Sequence, residues 1–103
     1  MAATPEKRVK DKVVAVLKQA GVYYFFPATH GVGRSGVPDV VCCVPGGAFL
    51  AIECKAGKNK PTELQVREIE AIRRVGGVAV VVNEENWDML PALIRELSSK
   101  GKQ

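Results

Sequence analysis

The chain has 103 residues, of which 47% are hydrophobic and 25% are charged, and its 15 basic and 11 acidic side chains give a net charge of +4. This length predicts one domain over residues 1–103, with a basic tail from about residue 98, and leaves no room for a separate motor domain. No P-loop motif occurs, and the positive charge favours an anionic partner.

The first predicted element is a helix between Thr4-Pro5 and Ala20-Gly21. Thr is a preferred N-cap, Pro suits the first helical position, and Gly ends helices. At 100° per residue Glu6 falls on the apolar stripe of Val13 and Leu17, so we expect its carboxylate at the head of a core-facing side.

A strand and a hairpin follow this helix. Val22–Phe26 predicts a strand and Thr29–Gly36 an exposed loop. Two further strands, Asp39–Val44 and Ala48–Lys55, are joined by the turn Pro45-Gly46-Gly47 and predict an antiparallel pair.

A second helix is predicted from Pro61-Thr62 to Val75, where Gly76-Gly77 ends it. Gln65 shares a helical stripe with Ile69, so its side chain should face inward at the start of this helix.

The remaining elements are a strand at Val78–Asn83 and a last helix from Trp87 or Asp88 to Leu97, with Pro91 in its first turns. The order α-β-β-β-α-β-α contains one crossover helix. It predicts an α/β fold with a mixed sheet flanked by helices.

Acidic and basic side chains meet at one end of the predicted hairpin. Glu53 and Lys55 point to the same face about 7 Å apart along the strand, and antiparallel pairing would bring Asp39 next to Glu53. Paired carboxylates suit Mg²⁺ or Mn²⁺, and a nearby lysine suits metal-assisted attack of water on a phosphodiester.

In these positions the chain resembles a stand-alone VRR-NUC domain, a branch of the PD-(D/E)XK nuclease superfamily, and is similar to archaeal Holliday junction resolvases. The resemblance covers residues 4 to about 82. It rests on Glu6, Gly36-Val37-Pro38-Asp39, Ile52-Glu53-Cys54-Lys55 and Thr62–Gln65.

The resemblance implies a restriction-endonuclease-like core with an added C-terminal helix, and a DNA endonuclease that needs Mg²⁺ or Mn²⁺. It implies metal ligation by Asp39, Glu53 and the Cys54 backbone carbonyl, and a catalytic role for Lys55. Glu6 matches a glutamate that binds the metal directly or through water. Gln65 matches a glutamine that braces the site.

Each of these side chains has a simpler interpretation. Asp39 could be a turn residue, and Glu53 and Lys55 a solvated ion pair. Gln65 could complete a capping box with Thr62, and Glu6 could complement the helix dipole. The combined pattern favours the nuclease site over these alternatives.

The string from Gly31 to Gly36 matches G-x-G-x-x-G, but a dinucleotide site needs a helix directly after it. Val37-Pro38 leads into a strand instead, so we expect no nucleotide cofactor. These glycines could bring backbone N–H groups close to a DNA phosphate. Basic and hydroxyl side chains nearby predict DNA contacts at Arg34, Ser35, Lys58 and Lys60.

The cysteines Cys42, Cys43 and Cys54 lack metal-site spacing, and we expect buried, reduced thiols. The aromatic run Tyr23–Phe26 should place one face in the core. Its other face could stack on bases or join a dimer.

The sequence therefore predicts a structure-selective endonuclease that cuts branched DNA as a homodimer. The alternative is a DNA-binding architectural protein with a nuclease fold and no cleavage. The N-terminus has no apolar run typical of a signal peptide, and apolar runs such as Val78–Val82 are too short to cross a bilayer. We expect a cytoplasmic protein without membrane contact, bacterial or phage-encoded.

Overall fold

The structure, a computed structural model, describes residues 4–28 and 33–100. The first half of the loop predicted at Thr29–Gly36 and the end of the predicted tail lie outside these residues. The described elements are, in chain order, α1 (Pro5–Gln19), β1 (Tyr23–Phe25), β2 (Val40–Cys43), β3 (Phe49–Cys54), α2 (Glu63–Arg74), β4 (Val78–Val82), a 3-10 turn (Trp87–Met89) and α3 (Leu90–Lys100).

The strands of the described residues form one mixed sheet in the order β1-β2-β3-β4. Both β1–β2 and β2–β3 pair antiparallel, whereas β3–β4 is parallel. A parallel pair needs a crossover connection, and α2 supplies it. The predicted element order, sheet type and crossover helix are confirmed.

The helix signals act as the sequence predicts. Thr4 Oγ1 accepts a hydrogen bond from Lys7 N at 3.1 Å, and Pro5 is the first helical residue. Val13 and Leu17 are fully buried, but Glu6 on the same predicted stripe is exposed. The prediction of an inward Glu6 is therefore wrong, because the first turn extends beyond the edge of the core.

The sheet has two differently covered faces. On one face, α1 and α3 bury a core that includes Leu17, Leu50 and Leu90. On the other face, Ile69 of α2 packs with Ala51 of β3 and Ala79 of β4. None of the helices in residues 4–28 and 33–100 is long and apolar enough to cross a membrane.

Beyond α2, the second face exposes an aromatic surface that we call the aromatic sheet face: Tyr23, Phe25 and Phe49, which are 69%, 48% and 44% exposed. Strand register places Cys43 between Tyr23 and Phe49, and this cysteine is exposed as well. Only Tyr24 of the strand packs against the core. The prediction that all three cysteines are buried is wrong at Cys43, because adjacent strand residues face opposite ways.

Most predicted boundaries differ from the structure by one to three residues, and three of the differences bear on the site or the tail. Asp39 and Lys55 lie just outside β2 and β3, although Lys55 N still donates to Val82 O at 2.9 Å. The last helix continues past Leu97 to Lys100, and Ser98 Oγ donates to Ile94 O at 2.7 Å within it. The predicted basic tail therefore begins inside a helix.

Candidate active site

The β2–β3 hairpin brings Asp39 beside Glu53. Val40 pairs with Ile52, so the next positions outward along the two strands are Asp39 and Glu53. Asp39 Oδ2 accepts a hydrogen bond of 2.8 Å from Cys54 N, which holds the carboxylate against β3. The juxtaposition predicted from the hairpin is confirmed, and the side chain of Asp39 is more than a turn acid.

Among the described residues, Glu53 is the one buried charged side chain, with 2% exposure. Its Oε2 lies 3.5 Å from Lys55 Nζ, while its Oε1 has no hydrogen-bond partner within the described part of the chain. The predicted pair of Glu53 and Lys55 is thus present, but it is buried rather than solvated. Buried polar atoms without a partner are rare in proteins and call for a ligand or a cost in stability.

The pKa of the Glu53 carboxyl is raised to about 7, chiefly by burial and next by the negative charge of Asp39. Lys55 opposes this rise through its charge and hydrogen bond, and Glu6 adds slightly to it. A carboxyl with this pKa is partly protonated at neutral pH. A cation placed between the two carboxylates would favour the ionised form.

The donor set at this end of the hairpin fits a hard divalent cation. Asp39 and Glu53 offer carboxylate oxygens, and Glu53 Oε1 is free of other partners within the described residues. The Cys54 thiol is buried in the core, where desolvation raises its pKa to about 12, so this residue can offer only its backbone carbonyl. Oxygen ligands of this kind suit Mg²⁺ or Mn²⁺.

Glu6 lies at the rim rather than inside the site. It lines a cavity of about 410 Å³ that also contains Asp39, and a neighbouring cavity of about 440 Å³ that contains Lys58. Across residues 4–28 and 33–100, no three His, Cys, Asp or Glu side chains gather closely enough to hold a metal ion. Glu6 does not complete a three-carboxylate set here, and its role as a metal ligand stays a prediction.

Gln65 makes the capping box that was its simpler interpretation. Thr62 N donates to Gln65 Oε1 at 2.8 Å, and Gln65 N donates to Thr62 Oγ1 at 3.2 Å. The half-buried side chain also lines a cavity of about 330 Å³ with Asp39 and Ser35. Capping and proximity to the site therefore coexist, and the bracing role stays a prediction.

The predicted DNA contacts are distributed around this end of the sheet. Ser35 lines the cavity of about 330 Å³, and Lys58 lines the one of about 440 Å³. Lys60 is exposed. Arg34 is exposed too, but its Nε donates to Glu68 Oε2 of α2 at 2.8 Å, so it already has an anionic partner.

Gly36 approaches the backbone of α2 closely, a contact that was not predicted from the sequence. Its φ is +85°, and a Cβ there would lie 2.6 Å from the Leu64 carbonyl carbon. Among the described residues, the close neighbour of this glycine is therefore the backbone of α2, and an approach of the glycine-rich loop to DNA stays a prediction. After Gly36 the chain enters β2 and not a helix, as predicted.

Lys10 also faces the candidate site, although the sequence predicted no role for it there. It lines both cavities that contain Asp39, and its Nζ lies 4.4 Å from the centroid of the Phe26 ring. Its spacing of four residues from Glu6 was an available signal, because residues four apart share a helix face.

Comparison with known proteins gives the class of this chain. No family model matches it. A protein of Acyrthosiphon pisum secondary endosymbiont phage 1 named "Putative nuclease p44" is 35% identical over 85 residues, which span 82% of this chain and 88% of that protein.

Solved structures support the same class. A structure described as "VRR_NUC domain" has a TM-score of 0.69 at 26% identity, covering 94% of this chain and 97% of its own. A second, "VRR_NUC domain protein", has a TM-score of 0.64 at 21% identity, covers 93% and 89%, and supports the fold. The predicted class of a nuclease domain with a mixed α/β fold is confirmed. The chain belongs to the VRR-NUC family of nuclease domains.

Proposed function

We propose that this nuclease hydrolyses phosphodiester bonds of DNA with Mg²⁺ or Mn²⁺ held by Asp39, Glu53 and the Cys54 carbonyl. The observation that supports this most directly is Glu53, which is buried beside a second carboxylate and has one oxygen without a partner in the described residues. A divalent cation would satisfy that oxygen and neutralise both acids.

When bound, the cation would act as a Lewis acid on the scissile phosphoryl group and favour an ionised water nucleophile. Glu6, at the rim of the same site, would bind the cation through water.

Lys55 is the side chain best placed to act on the substrate. Its Nζ lies 3.5 Å from Glu53 Oε2, and its side chain is only 13% exposed. A partly desolvated ammonium in this position can orient the attacking water or stabilise negative charge on the phosphoryl oxygens. Gln65 would brace the Asp39 side of the cavity while capping α2.

We propose branched DNA as the substrate, with Ser35, Lys58 and Lys60 contacting phosphates and Arg34 exchanging Glu68 for a phosphate. The net charge of +4 supports an anionic partner. The expected setting is the bacterial cytoplasm, with the chain bacterial or phage-encoded.

We also propose that the active form is a homodimer. One chain has a single candidate site, so paired nicks across a junction need a second copy, and two-fold dimers are the commonest closed assemblies. The aromatic sheet face supplies exposed apolar surface for such a contact. Light scattering should then give about twice the chain mass of 11.1 kDa at micromolar concentration.

The deciding experiment is cleavage of matched linear, forked and four-way DNA with Mg²⁺, Mn²⁺ or EDTA. We expect cutting with either metal, none in EDTA, and the fastest cutting on branched DNA. Binding to DNA without cutting under every metal condition would instead support an architectural protein. Cutting in EDTA would contradict the metal assignment, and equal rates on all three substrates would contradict the structure selectivity.

A further inference from the structure

Two lysines of α1 lie over aromatic rings on different sides of the helix. Lys10 Nζ is 4.4 Å from the Phe26 ring centroid, and Lys12 Nζ is 5.0 Å from the Trp87 ring centroid. Two helical residues turn the helix by about 200°, so these side chains leave it in nearly opposite directions.

Only the Lys10 side of the helix borders the candidate active site. Lys10 lines the cavity of about 410 Å³ and the cavity of about 330 Å³, and Asp39 lines both. Phe26 lines both cavities too, so the ring and the ammonium occupy one shared wall. Lys12 lines neither cavity and is exposed.

Lys10 is held in place without a carboxylate partner. The ion pairs of the described residues include Lys7 with Asp11 on the same helix, at 3.1 Å, but none that uses Lys10. A cation–π contact restrains the ammonium while leaving its N–H donors available. Restraint before binding lowers the entropy cost of forming a new contact.

We infer that Lys10 binds the DNA phosphate next to the one being cut, and that Phe26 positions it. The inference rests on the proposed function and adds a phosphate subsite beside Asp39, in cavities that Lys58 does not line. The Lys10 ammonium, which none of the ion pairs of the described residues uses, can bind an anion without metal. A cation at Asp39 and Glu53 would strengthen the contact by neutralising acids that repel a phosphate.

The test removes the charge but keeps the aliphatic stem, with Lys10→Met and Lys12→Met as a matched pair. Binding of a fluorescent duplex is measured in EDTA between 50 and 200 mM salt. If Lys10 contacts a phosphate, Lys10→Met should lower the slope of log K against log salt by about 0.9 per chain. Lys12→Met should leave the slope unchanged. Equal slopes for the two variants would overturn the inference.

Phe26 is tested through its ring. Phe26→Leu should weaken binding severalfold and keep the salt slope, because the charge remains but is less restrained, and Phe26→Tyr should restore wild-type affinity. A Phe26→Tyr variant as weak as Phe26→Leu would contradict the positioning role. Thermal midpoints equal to wild type exclude unfolding as the cause.

The binding readout separates this inference from the proposed function. Normal cleavage in Mg²⁺ with equal slopes for the two Met variants would refute the Lys10 subsite alone. Absence of cleavage with an altered slope for Lys10→Met would refute the catalytic proposal and keep the subsite. A wild-type protein that does not bind DNA would refute both.

Discussion

The two ends of the β2–β3 hairpin differ in whether their polar groups have hydrogen-bond partners. At the turn end, Val44 N donates to Ala48 O at 2.9 Å and Gly47 N donates to Val44 O at 2.8 Å, and the turn residues Pro45-Gly46-Gly47 are exposed. At the other end, Glu53 is 2% exposed and its Oε1 lacks a partner among the described residues. One pair of strands thus has an end whose polar groups are hydrogen-bonded and an end where a buried carboxyl oxygen has no partner among the described residues.

The largest expected effect is on cleavage. Glu53→Gln, Asp39→Asn and Lys55→Ala should each lower the rate at least about 100-fold, because they remove a proposed metal ligand or the proposed catalytic ammonium. Gly47→Ala, at the turn end of the same hairpin, should leave the rate unchanged. Full activity in any of the first three variants would contradict the assignment of that residue.

The second effect is a dependence of stability on pH. The folded pKa of Glu53, about 7, lies above the ordinary value of 4.5. Glu53 therefore favours folding fully below about pH 4.5, and this contribution is lost as pH rises through about 7. For metal-free protein the loss should be on the order of 3 kcal/mol.

Urea unfolding in EDTA at pH 5 and pH 8 measures this dependence as the difference between wild type and Glu53→Gln. Mg²⁺ at 100 times its dissociation constant should restore about 2.7 kcal/mol to the wild type at pH 8 and less to the variant. If the stability of both proteins depended on pH in the same way, Glu53 would not be the group responsible for the dependence.

A third effect separates two glycines that both have positive φ. Gly36→Ala and Gly47→Ala each force a left-handed conformation, which costs about 1–2 kcal/mol. Only at Gly36 would the new Cβ meet backbone, 2.6 Å from the Leu64 carbonyl carbon, whereas nothing lies within 4 Å at Gly47. We expect Gly36→Ala to be the less stable variant by urea unfolding and to cut more slowly, because its loop contains Ser35. Equal losses of stability would contradict this contact.

The smallest expected effect concerns Glu6. Glu6→Gln should raise the Mn²⁺ concentration needed for half-maximal cleavage by about tenfold, the lower end of the range for groups that act on a metal through another ligand. Glu63→Gln is the matched control, because both acids lie in the first turn of a helix. Both variants should lose about 0.3–1 kcal/mol of stability through the helix dipole. An unchanged Mn²⁺ requirement in Glu6→Gln would leave Glu6 with the dipole role alone.

The hairpin end of the site was predictable from sequence, whereas its rim was not. Strand alternation and the turn Pro45-Gly46-Gly47 determine which residues oppose each other. Counting residues outward from the turn along both strands therefore places Asp39 beside Glu53. Helical periodicity gives a direction around α1 but not the distance to the sheet, so Glu6 was placed too deep. The partner of Gly36 on α2 is 28 positions away, and no local pattern indicates such a contact.

The different surroundings of the three cysteines have a practical consequence for studying this protein. Desolvation raises the pKa of Cys42 to about 11 and that of Cys54 to about 12, and both thiols are buried, whereas Cys43 is exposed. Thiolates are the reactive form, so a maleimide dye at neutral pH should modify Cys43 selectively in the native chain. Because Cys43 belongs to the same surface as Tyr23 and Phe49, one label would report whether a second subunit covers the aromatic sheet face.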